Sequence, residues 1–304
     1  MLALSAQLDL SHAISVSPIV YILSILDKMY QDYHTYQLDT DSTLKSLDQF
    51  LQQKSQCPNI QSILPPSPRI VAIGDIHGDF DALLKALLKS GVINRNGNWI
   101  GGKTVVIQLG DVLDRGGRSV GIDSNNNLEE IQVFYYLYRL NRKAKEVGGS
   151  VISLIGNHEL MNMLGDFRYA SSNHIGGLGG VDTRKKLLRP GGRLARKIAC
   201  NSLGIVKVGD WVFVHGGLLP EHINSLISDR EDGRDTARYT FDRINQLVRN
   251  ILLGSVNLTS ISPEEEDILF GRDGIFWTRK YSKGIPNPEN CDRAYQTMSL
   301  LKMD

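Results

Sequence analysis

Residues 150–159, with the sequence SVISLIGNHE, place three polar side chains directly behind an apolar, β-branched run and a glycine. The apolar run is typical of a strand that is buried on both faces of a sheet. Gly156 allows the chain to turn sharply away from such a strand. Asn157, His158 and Glu159 would then lie beside a site instead of in the core. The stretch predicts a strand that ends in a reactive loop.

Three other stretches have the same construction, an apolar run followed by Gly-Asp or by a histidine with glycines behind it. They are RIVAIGDIHGD at 69–79, TVVIQLGDVLDRGG at 104–117 and IVKVGDWVFVHGGL at 205–218. The last of these indicates a hairpin around Gly209 and Asp210. Helices are predicted over 80–89, where Asp79 caps the first turn, and over 128–146. Strands that alternate with helices and end in polar residues predict an open α/β sheet with a site at the carboxyl ends of its strands.

The polar residues at these strand ends suit a site for metal ions and phosphate. Because side chains alternate along a strand, Asp75 and His77 should point the same way, so that an oxygen and an imidazole nitrogen meet one cation. Asp111 can bridge two cations with its two oxygens. Arg115 offers a planar fork of donors that matches a phosphate group. His215 adds a histidine at the end of the fourth strand.

Four motifs resemble, in residues and in order, those of the phosphoprotein phosphatase branch of the calcineurin-like metallophosphoesterases. They are GDIHG at 74–78, GDVLDRG at 110–116, GNHE at 156–159 and HGGL at 215–218. Two longer stretches, GNHELMNMLGDFRY and DGIFWTR, are most similar to the bacterial-type, Shewanella-like serine/threonine protein phosphatases. The resemblance covers about residues 69–304. It implies an α/β fold in which a β-sandwich is flanked by helices and the site lies at the carboxyl ends of strands.

The resemblance also implies a site for two divalent metal ions. Asp75 and His77 would bind one ion, and Asp111 would bridge both. Asn157 and His215 would bind the other ion. Carboxylate, imidazole and amide ligands suit Mn, Fe or Zn without selecting among them. Two such ions would hold a phosphate and lower the pKa of a bridging water to near neutrality, so that water attacks without a covalent intermediate.

The remaining site residues follow from the same resemblance. His158 matches the general acid that protonates the leaving oxygen, and Asp114 would orient and charge its imidazole. Arg115 would clamp the phosphate and stabilise charge in the transition state. Arg279 and Arg168 are two further candidates for binding the substrate phosphate. The implied function is a metal-dependent phosphoester hydrolase, and more specifically a protein serine/threonine phosphatase.

One metal-binding histidine of these phosphatases has no counterpart in the sequence. The family carries it after a strand near the C-terminus, whereas this chain ends at Asp304 after a predicted helix over 288–302. We expect a C-terminally shortened chain in which the ion shared by Asn157 and His215 lacks a ligand, and loss of a ligand weakens metal affinity. Two alternatives therefore stay open. One is a hydrolase of dinucleoside polyphosphates or other small phosphoesters, and the other is a non-catalytic binding scaffold.

Charge and hydropathy limit the expected partners. The chain has 34 basic and 33 acidic residues, so its net charge of +1 gives no electrostatic reason to expect a nucleic acid or a membrane surface. Phosphorylated proteins or small phosphoesters are the expected substrates, and the oligomeric state is not determined. The apolar stretch 13–26 is shorter than the roughly 20 residues that cross a bilayer and contains Pro18. It predicts a docked amphipathic helix instead of a signal or a membrane span.

The cysteines, the proline-rich stretch and a few remaining polar residues give further predictions. Three cysteines that lie far apart indicate neither a disulfide framework nor a zinc site, and they favour a reducing, cytoplasmic compartment; they are Cys57, Cys200 and Cys291. The proline-rich stretch 64–68 predicts a linker, so that 1–68 is a helical N-terminal extension and 69–304 is the catalytic domain. The basic run RKKLLR at 184–189 is typical of a solvated helix face. His174 is predicted in a loop and His222 at the surface.

Overall fold

The computed structural model describes residues 49–52, 57–116, 128–228, 235–282 and 287–303. The helix predicted over 13–26 lies outside these residues. The strands are β1 (Ile63–Leu64), β2 (Ile70–Ile73), β3 (Val105–Gln108), β4 (Ser150–Leu154), β5 (Ser202–Leu203), β6 (Ile205–Val208) and β7 (Trp211–Val214). The α-helices are α1 (Phe80–Lys89), α2 (Glu129–Lys145), α3 (Asn157–Met163), α4 (Ser172–Gly177), α5 (Val181–Leu188), α6 (Arg193–Asn201), α7 (Pro220–Ile227), α8 (Thr236–Leu253), α9 (Pro263–Phe270) and α10 (Pro288–Leu300).

Strands β2 to β5 form a parallel sheet in the order β2-β3-β4-β5. The register pairs Ile73 with Gln108 and Gln108 with Ser153, so the carboxyl ends of the three longest strands lie level with one another. Every residue of β3 is buried, as its continuous apolar pattern predicts for a strand covered on both faces. The polar residues that follow these strands therefore meet at one edge of the sheet.

A second sheet, in the order β1-β6-β7, packs against the first. Strands β6 and β7 form the predicted hairpin, in which Val208 pairs with Trp211 across Gly209 and Asp210. One hydrophobic cluster joins the two sheets and consists of Val105, Ile107, Ile152, Leu154, Leu203, Val206 and Val208. The fold is thus the expected β-sandwich with helices around it. The fourth site-bearing strand, β7, belongs to the second sheet instead of extending the first.

Helix α1 begins where the sequence predicts it. The Asp79 side chain accepts a hydrogen bond from the backbone N–H of Ala82 at 2.8 Å, which caps the first turn. Leu83, Leu84 and Leu87 are buried along one face of the helix. Because α1 starts directly after the turn at residues 75–78, its cap holds that turn beside the end of β2.

The segment before the proline-rich stretch contains a strand. Ile63 and Leu64 form β1, which pairs in parallel with β6. Contacts among Cα atoms group residues 47–304 into one compact unit, whereas the unit formed by residues 1–46 lies outside the described residues. The described part of this segment from residue 57 onward is therefore extended chain and strand instead of helix, and the division after residue 68 stays a prediction.

Cys57 and Cys200 form a disulfide bond across 143 residues of sequence, with their Cα atoms 4.6 Å apart. The prediction that the cysteines form no disulfide is wrong for this pair, because folding joins the end of α6 to a segment that precedes β1. Cys291 is exposed and unpaired in the described part of the chain. Since disulfides persist mainly in oxidising compartments, the cysteine pattern no longer supports the predicted reducing compartment.

Within the described residues, no helix has both the length and the apolar character that a membrane span requires. The longest described helix, α8, has 18 residues and follows the amphipathic pattern of a helix docked on a protein core. Its buried face carries Phe241, Ile244 and Val248, among others. This helix packs against α6 and the β6 strand.

Candidate active site

Five polar side chains from four strand ends converge at the carboxyl edge of the sheets. They are Asp75 and His77 after β2, Asp111 after β3, Asn157 after β4 and His215 after β7. Nε2 of His77 lies 3.8 Å from Oδ2 of Asp111, and Nε2 of His215 lies 3.4 Å from the same oxygen. Carboxylate oxygens of Asp75 lie 3.9 Å from both histidines. The structure thus brings together all five side chains that the family resemblance assigns to metal binding.

Backbone carbonyls orient the two histidines. Nδ1 of His77 lies 2.9 Å from the carbonyl oxygen of Leu113, and Nδ1 of His215 lies 2.8 Å from that of Leu109. A carbonyl oxygen can only accept a hydrogen bond, so Nδ1 donates in each ring and Nε2 presents its lone pair to the site. This tautomer and this orientation are those of a metal-binding histidine.

The contact between His215 and Asn157 points to a cation. Nε2 of His215 lies 2.9 Å from Oδ1 of Asn157, and when the ring is neutral and donates from Nδ1 both of these atoms present lone pairs. Two acceptors at that distance repel each other unless a cation or a proton lies with them. The nearby Asp111 carboxylate, which is 3% exposed, adds negative charge to the same place. The donor set therefore fits a divalent cation.

Two groups of ligand atoms lie close enough together to hold a metal ion. One group consists of His77, Asp111 and His158, and the other of Asp75, Asp111 and His215. Within each group the ligand atoms lie within 4.8 Å of one another. Asp111 belongs to both groups, which is the position that a bridging carboxylate would take between two ions.

The backbone of this edge is strained. His77, Asp111 and Asp114 have left-handed φ values of 49°, 53° and 69°. Such a conformation costs roughly 1–3 kcal/mol per non-glycine residue, and it persists only where surrounding contacts hold it. The turn after β2 also corrects one expectation from the sequence. Because β2 ends at Ile73, a turn and not the alternation of a strand brings Asp75 and His77 to the same site.

Gly156 is needed for close approach and not for an unusual backbone conformation. Its φ is −110°, which other residues adopt readily. A Cβ atom at this position would lie 2.1 Å from Oδ1 of Asp111 and 2.5 Å from its backbone nitrogen. The missing side chain lets the end of β4 touch the loop that carries Asp111. The predicted role of Gly156 in a sharp turn is therefore replaced by this packing role.

Glu159 holds the same two segments together. Its buried carboxylate accepts four backbone hydrogen bonds of 2.8 to 3.0 Å, from the N–H groups of Asp111, Val112, Leu113 and Gly156. Burial and the charge of Asp111 raise the pKa of Glu159 to about 8, whereas the hydrogen bonds from Gly156 and Leu113 favour its ionised form. Glu159 thereby stabilises the left-handed conformation of Asp111.

His158 lies beside the ligands but faces a different partner. Its Nδ1 atom donates to Oδ2 of Asp114 at 2.8 Å, and its Nε2 atom lies 3.8 Å from Oδ2 of Asp111. Burial lowers the pKa of His158, but the hydrogen bond to Asp114 and the charges of Asp111 and Asp114 outweigh burial and raise it above its ordinary value. The imidazole is thus held by one nitrogen and can carry a proton on the other.

Behind Asp114 lies a network of buried charges that sequence reasoning missed. Arg184 is fully buried and donates to Asp114, Glu130 and Asn162. The prediction of a solvated face is wrong for Arg184, while its neighbours in the run, Lys185 and Lys186, are exposed. A signal was available, because Arg184 and the buried Leu188 are four residues apart on α5 and so share a face. Asn162 likewise follows His158 by four residues on α3.

His174 belongs to this network instead of to a loop. It lies in α4, is 3% exposed, and has Nδ1 3.1 Å from a carboxylate oxygen of Glu130. Burial lowers the pKa of His174, but Glu129 and Glu130 outweigh it and raise the pKa to about 9. Burial raises the pKa of Glu130, but His174 and Arg184 outweigh it and lower the pKa to about 2. Both groups are therefore charged near neutral pH.

His222 is also buried, contrary to its predicted surface position. Its Nδ1 atom accepts a hydrogen bond from the backbone N–H of Leu219, and its Nε2 atom donates to the carbonyl oxygen of Asp273. Burial lowers the pKa of His222, so the neutral ring suits this place. Its role is to cap the start of α7.

The three candidate phosphate-binding arginines are placed differently. Arg115 is 8% exposed and its guanidinium lies 3.3 Å from Asp79 and 3.6 Å from Glu129. Arg168 is exposed and forms an ion pair with Asp166 at 2.7 Å. Arg279 is exposed and donates to the carbonyl oxygens of the two preceding residues. Each arginine has intramolecular partners, so a role in binding phosphate stays a prediction for all three.

Comparison with known proteins indicates the family of the chain. The family model described as calcineurin-like phosphoesterase matches residues 68–291. Shewanella-like protein phosphatase 2 of Arabidopsis thaliana is 30% identical over 296 residues, covering 83% of this chain and 68% of that protein. Shewanella-like protein phosphatase 1 of Plasmodium berghei is 29% identical over 235 residues, covering 76% of this chain and 57% of that protein.

A solved structure has a similar fold. The crystal structure of a point mutant of a cold-active protein tyrosine phosphatase aligns with a TM-score of 0.60 at 25% sequence identity. The alignment covers 79% of this chain and 65% of that chain. The chain thus spans about two thirds or less of the length of several proteins that it matches.

Proposed function

The chain belongs to the calcineurin-like phosphoesterase family, and from that premise we propose that it is a protein serine/threonine phosphatase that uses water activated by two divalent metal ions. Family membership supports a metal-dependent phosphoesterase. The observation that carries the two-metal part of the proposal is the position of Asp111, whose carboxylate belongs to both groups of ligand atoms. The serine/threonine part rests on the resemblance of the sequence motifs. His158 lies directly beside that carboxylate and is bound to Asp114.

The proposed ligands are those that converge at the strand ends. Asp75 and His77 would hold one ion, Asn157 and His215 would hold the other, and Asp111 would contribute to both. His158, although its nitrogen lies in one of the two groups of ligand atoms, is proposed to carry a proton instead. When bound, two such ions neutralise the phosphate and supply a nucleophilic water at neutral pH. Mn, Fe and Zn all suit this donor set.

His158 is the proposed general acid. Its Nδ1–H is held by Asp114 at 2.8 Å, which leaves Nε2 to deliver a proton to the leaving oxygen of the substrate. Burial lowers the pKa of His158, but the hydrogen bond to Asp114 and the nearby carboxylate charges outweigh burial and raise the pKa above its ordinary value, which favours the protonated ring. Asp114 stabilises the charged ring without having to take up the proton itself.

Three arginines are proposed to bind the phosphate, of which one is buried and two are exposed. Arg115 lies nearest to the ligand loops, where it would exchange its contacts with Asp79 and Glu129 for the substrate. Arg168 and Arg279 are exposed and would need to approach the site. An arginine fork binds two phosphate oxygens at once, so each candidate is chemically suited to the role.

A phosphotyrosine substrate is a second candidate, and one contact favours it. The ring of Tyr169 lies 5.2 Å from the ring of His158, and Tyr169 is 47% exposed. An aromatic leaving group could stack on that exposed ring while His158 protonates its oxygen. The similar solved structure is that of a protein named as a tyrosine phosphatase.

Hydrolysis assays with added Mn test the proposal. Peptides with phosphoserine, phosphothreonine or phosphotyrosine should be compared with a dinucleoside polyphosphate and with p-nitrophenyl phosphate. Turnover of the first two peptides, abolished by a chelator and by Asp111→Asn, supports the proposal. Preference for the phosphotyrosine peptide or for the dinucleotide supports a different substrate class. If no substrate turns over while metal analysis finds fewer than two ions, the non-catalytic scaffold replaces the enzyme.

A further inference from the structure

Arg184 connects three elements around the partner of His158. Its Nη2 atom donates to Oδ1 of Asp114 at 3.0 Å, and its Nη1 atom donates to Oε2 of Glu130 at 2.8 Å. Its Nε atom donates to Oδ1 of Asn162 at 2.8 Å. The guanidinium side chain is 0% exposed, as is that of Asp114. Three directional bonds from one planar group fix its position in the interior.

The contacts of Asp114 divide between its two oxygens. Oδ1 accepts from Arg184, while Oδ2 accepts from His158 and from Nδ2 of Asn162, each at 2.8 Å. The same Asn162 amide group donates to the carbonyl oxygen of His158 at 2.9 Å. Arg184 thus holds the carboxylate both directly and through Asn162. This leaves one orientation in which Oδ2 faces the imidazole.

Charge also favours this arrangement. A buried carboxylate without a counter-ion is costly, whereas Arg184 lies between the carboxylates of Asp114 and Glu130. Glu130 additionally accepts the backbone N–H of Asp114 at 2.8 Å, where φ is left-handed. His174 supplies a second cation to Glu130. The carboxylates of Asp114 and Glu130 are therefore each paired with a basic side chain in the interior behind His158.

We propose that Arg184 is a positioning residue that acts on catalysis through Asp114, by holding its carboxylate in the orientation in which Oδ2 accepts the hydrogen bond from Nδ1 of His158. The inference rests on the proposed role of His158 as the general acid. It extends the catalytic apparatus from the strand-end motifs to α5, a helix that contributes no metal ligand. Lys185 and Lys186 on that helix are exposed and serve as controls.

The test compares Arg184→Met and Arg184→Lys with the exposed control Lys186→Met in the Mn-loaded enzyme. A phosphoserine peptide has a poor leaving group that needs a proton, whereas p-nitrophenyl phosphate has a good one. We expect Arg184→Met to lower kcat on the peptide by about 10- to 100-fold and on the aryl ester by less than about threefold, with KM unchanged. Arg184→Lys keeps the charge but not the fork, so its loss should lie between these values. A parallel loss on both substrates would overturn the proposal.

A double-mutant cycle separates positioning from general instability. In an Asp114→Asn background, Arg184→Met should change peptide turnover by less than about twofold, because its route to His158 is already broken. Independent, multiplicative losses would contradict the proposal. If Arg184→Met fails to fold, Arg184→Lys takes its place in the cycle and is judged by the same criterion.

A spectroscopic readout works even in a chain without turnover. The Nδ1–H proton of His158, hydrogen-bonded to Asp114, should give a downfield NMR signal that His158→Asn removes. We expect Arg184→Lys to shift or broaden that signal and Lys186→Met to leave it unchanged. An unchanged signal in Arg184→Lys would overturn the positioning role. Failure of the proposed function would instead appear as lack of turnover in the wild-type chain.

Discussion

The polar groups on the two sides of His158 differ in how their charges are compensated. On one side, the edge that carries the candidate metal ligands opens to solvent at Asp75, whose side chain is 50% exposed, while His77 and Asp111 are buried. On the other side, the network of Asp114, Glu130 and Arg184 is almost completely buried. The edge collects acceptors that repel one another and so fits cations from solution, whereas the buried network pairs Asp114 and Glu130 with basic side chains of the chain itself. A polar cluster whose charges are not compensated within the chain indicates a binding site, whereas a cluster whose charges are paired supports such a site structurally.

The largest expected effect comes from removing the bridging carboxylate. Asp111→Asn should lose both ions and lower turnover by more than about 100-fold, because it takes a ligand from each group at once. Asn157→Ala should reduce the occupancy of one ion only. Metal content after dialysis against Mn, measured by mass spectrometry, checks both, with the exposed Asp182→Asn as control. Retention of two ions in Asp111→Asn would contradict the bridging role.

His158 lies between the two regions, and its substitution tests whether the ring carries a proton or binds a metal ion. His158→Asn should lower turnover of a phosphopeptide by about 10²- to 10⁴-fold while leaving the metal content nearly unchanged, because the ring is proposed to carry a proton and not an ion. The same metal analysis and steady-state assays provide the check. A large loss of metal with modest loss of turnover would instead assign His158 to the ligands.

Substitution of Glu159 tests how much its buried hydrogen bonds stabilise the loop that carries Asp111. Glu159→Gln replaces one accepting oxygen with an N–H₂ group that faces backbone donors, so we expect a loss of about 2–4 kcal/mol in the free energy of unfolding. Urea unfolding curves at a pH above the pKa of Glu159, which is about 8, measure this loss, because the carboxyl is then ionised. The exposed Glu146→Gln should change stability by less than about 0.5 kcal/mol. Equal effects of the two substitutions would show that the four backbone hydrogen bonds do not stabilise the loop.

The smallest expected effect is the pH dependence of stability that His174 contributes in the buried network. The pKa of His174 is raised from 6.5 to about 9 in the folded chain, so its contribution to stability is fully present below 6.5 and is lost as pH rises through about 9. The loss should be at most about 3 kcal/mol. His174→Gln should remove this part of the pH dependence in urea unfolding, whereas His222→Gln should retain it. A wild-type dependence that persists in His174→Gln would assign it to other groups.

Much of the fold followed from local sequence patterns. The apolar runs at β2, β3 and β4, the hairpin of β6 and β7, and the Asp79 cap of α1 each depend on residues within a few positions of one another. The arrangement of seven strands into two sheets did not follow from those patterns, because a strand that is buried on both faces does not specify which sheet contains it.

The errors share one physical cause. Arg184, His174 and His222 were assigned to solvent because each is polar and none lies in an apolar run. All three are buried, since partners from distant segments satisfy their hydrogen bonds and charges. The pairing of Cys57 with Cys200 was missed for the same reason, because 143 residues separate the two cysteines.

The sequence by itself placed the candidate metal ligands at strand ends. Asp75, His77, Asp111 and Asn157 follow three strands of one parallel sheet, whose carboxyl ends lie together, whereas His215 follows a strand of the second sheet. It also named His158 and Asp114, which lie in two of the same motifs. Only the tertiary structure showed that Arg184 binds Asp114 and that Glu159 holds the Asp111 loop. Those contacts depend on how α3 and α5 pack over the strand ends, and the free energy of burying a charge depends on partners that are distant in sequence.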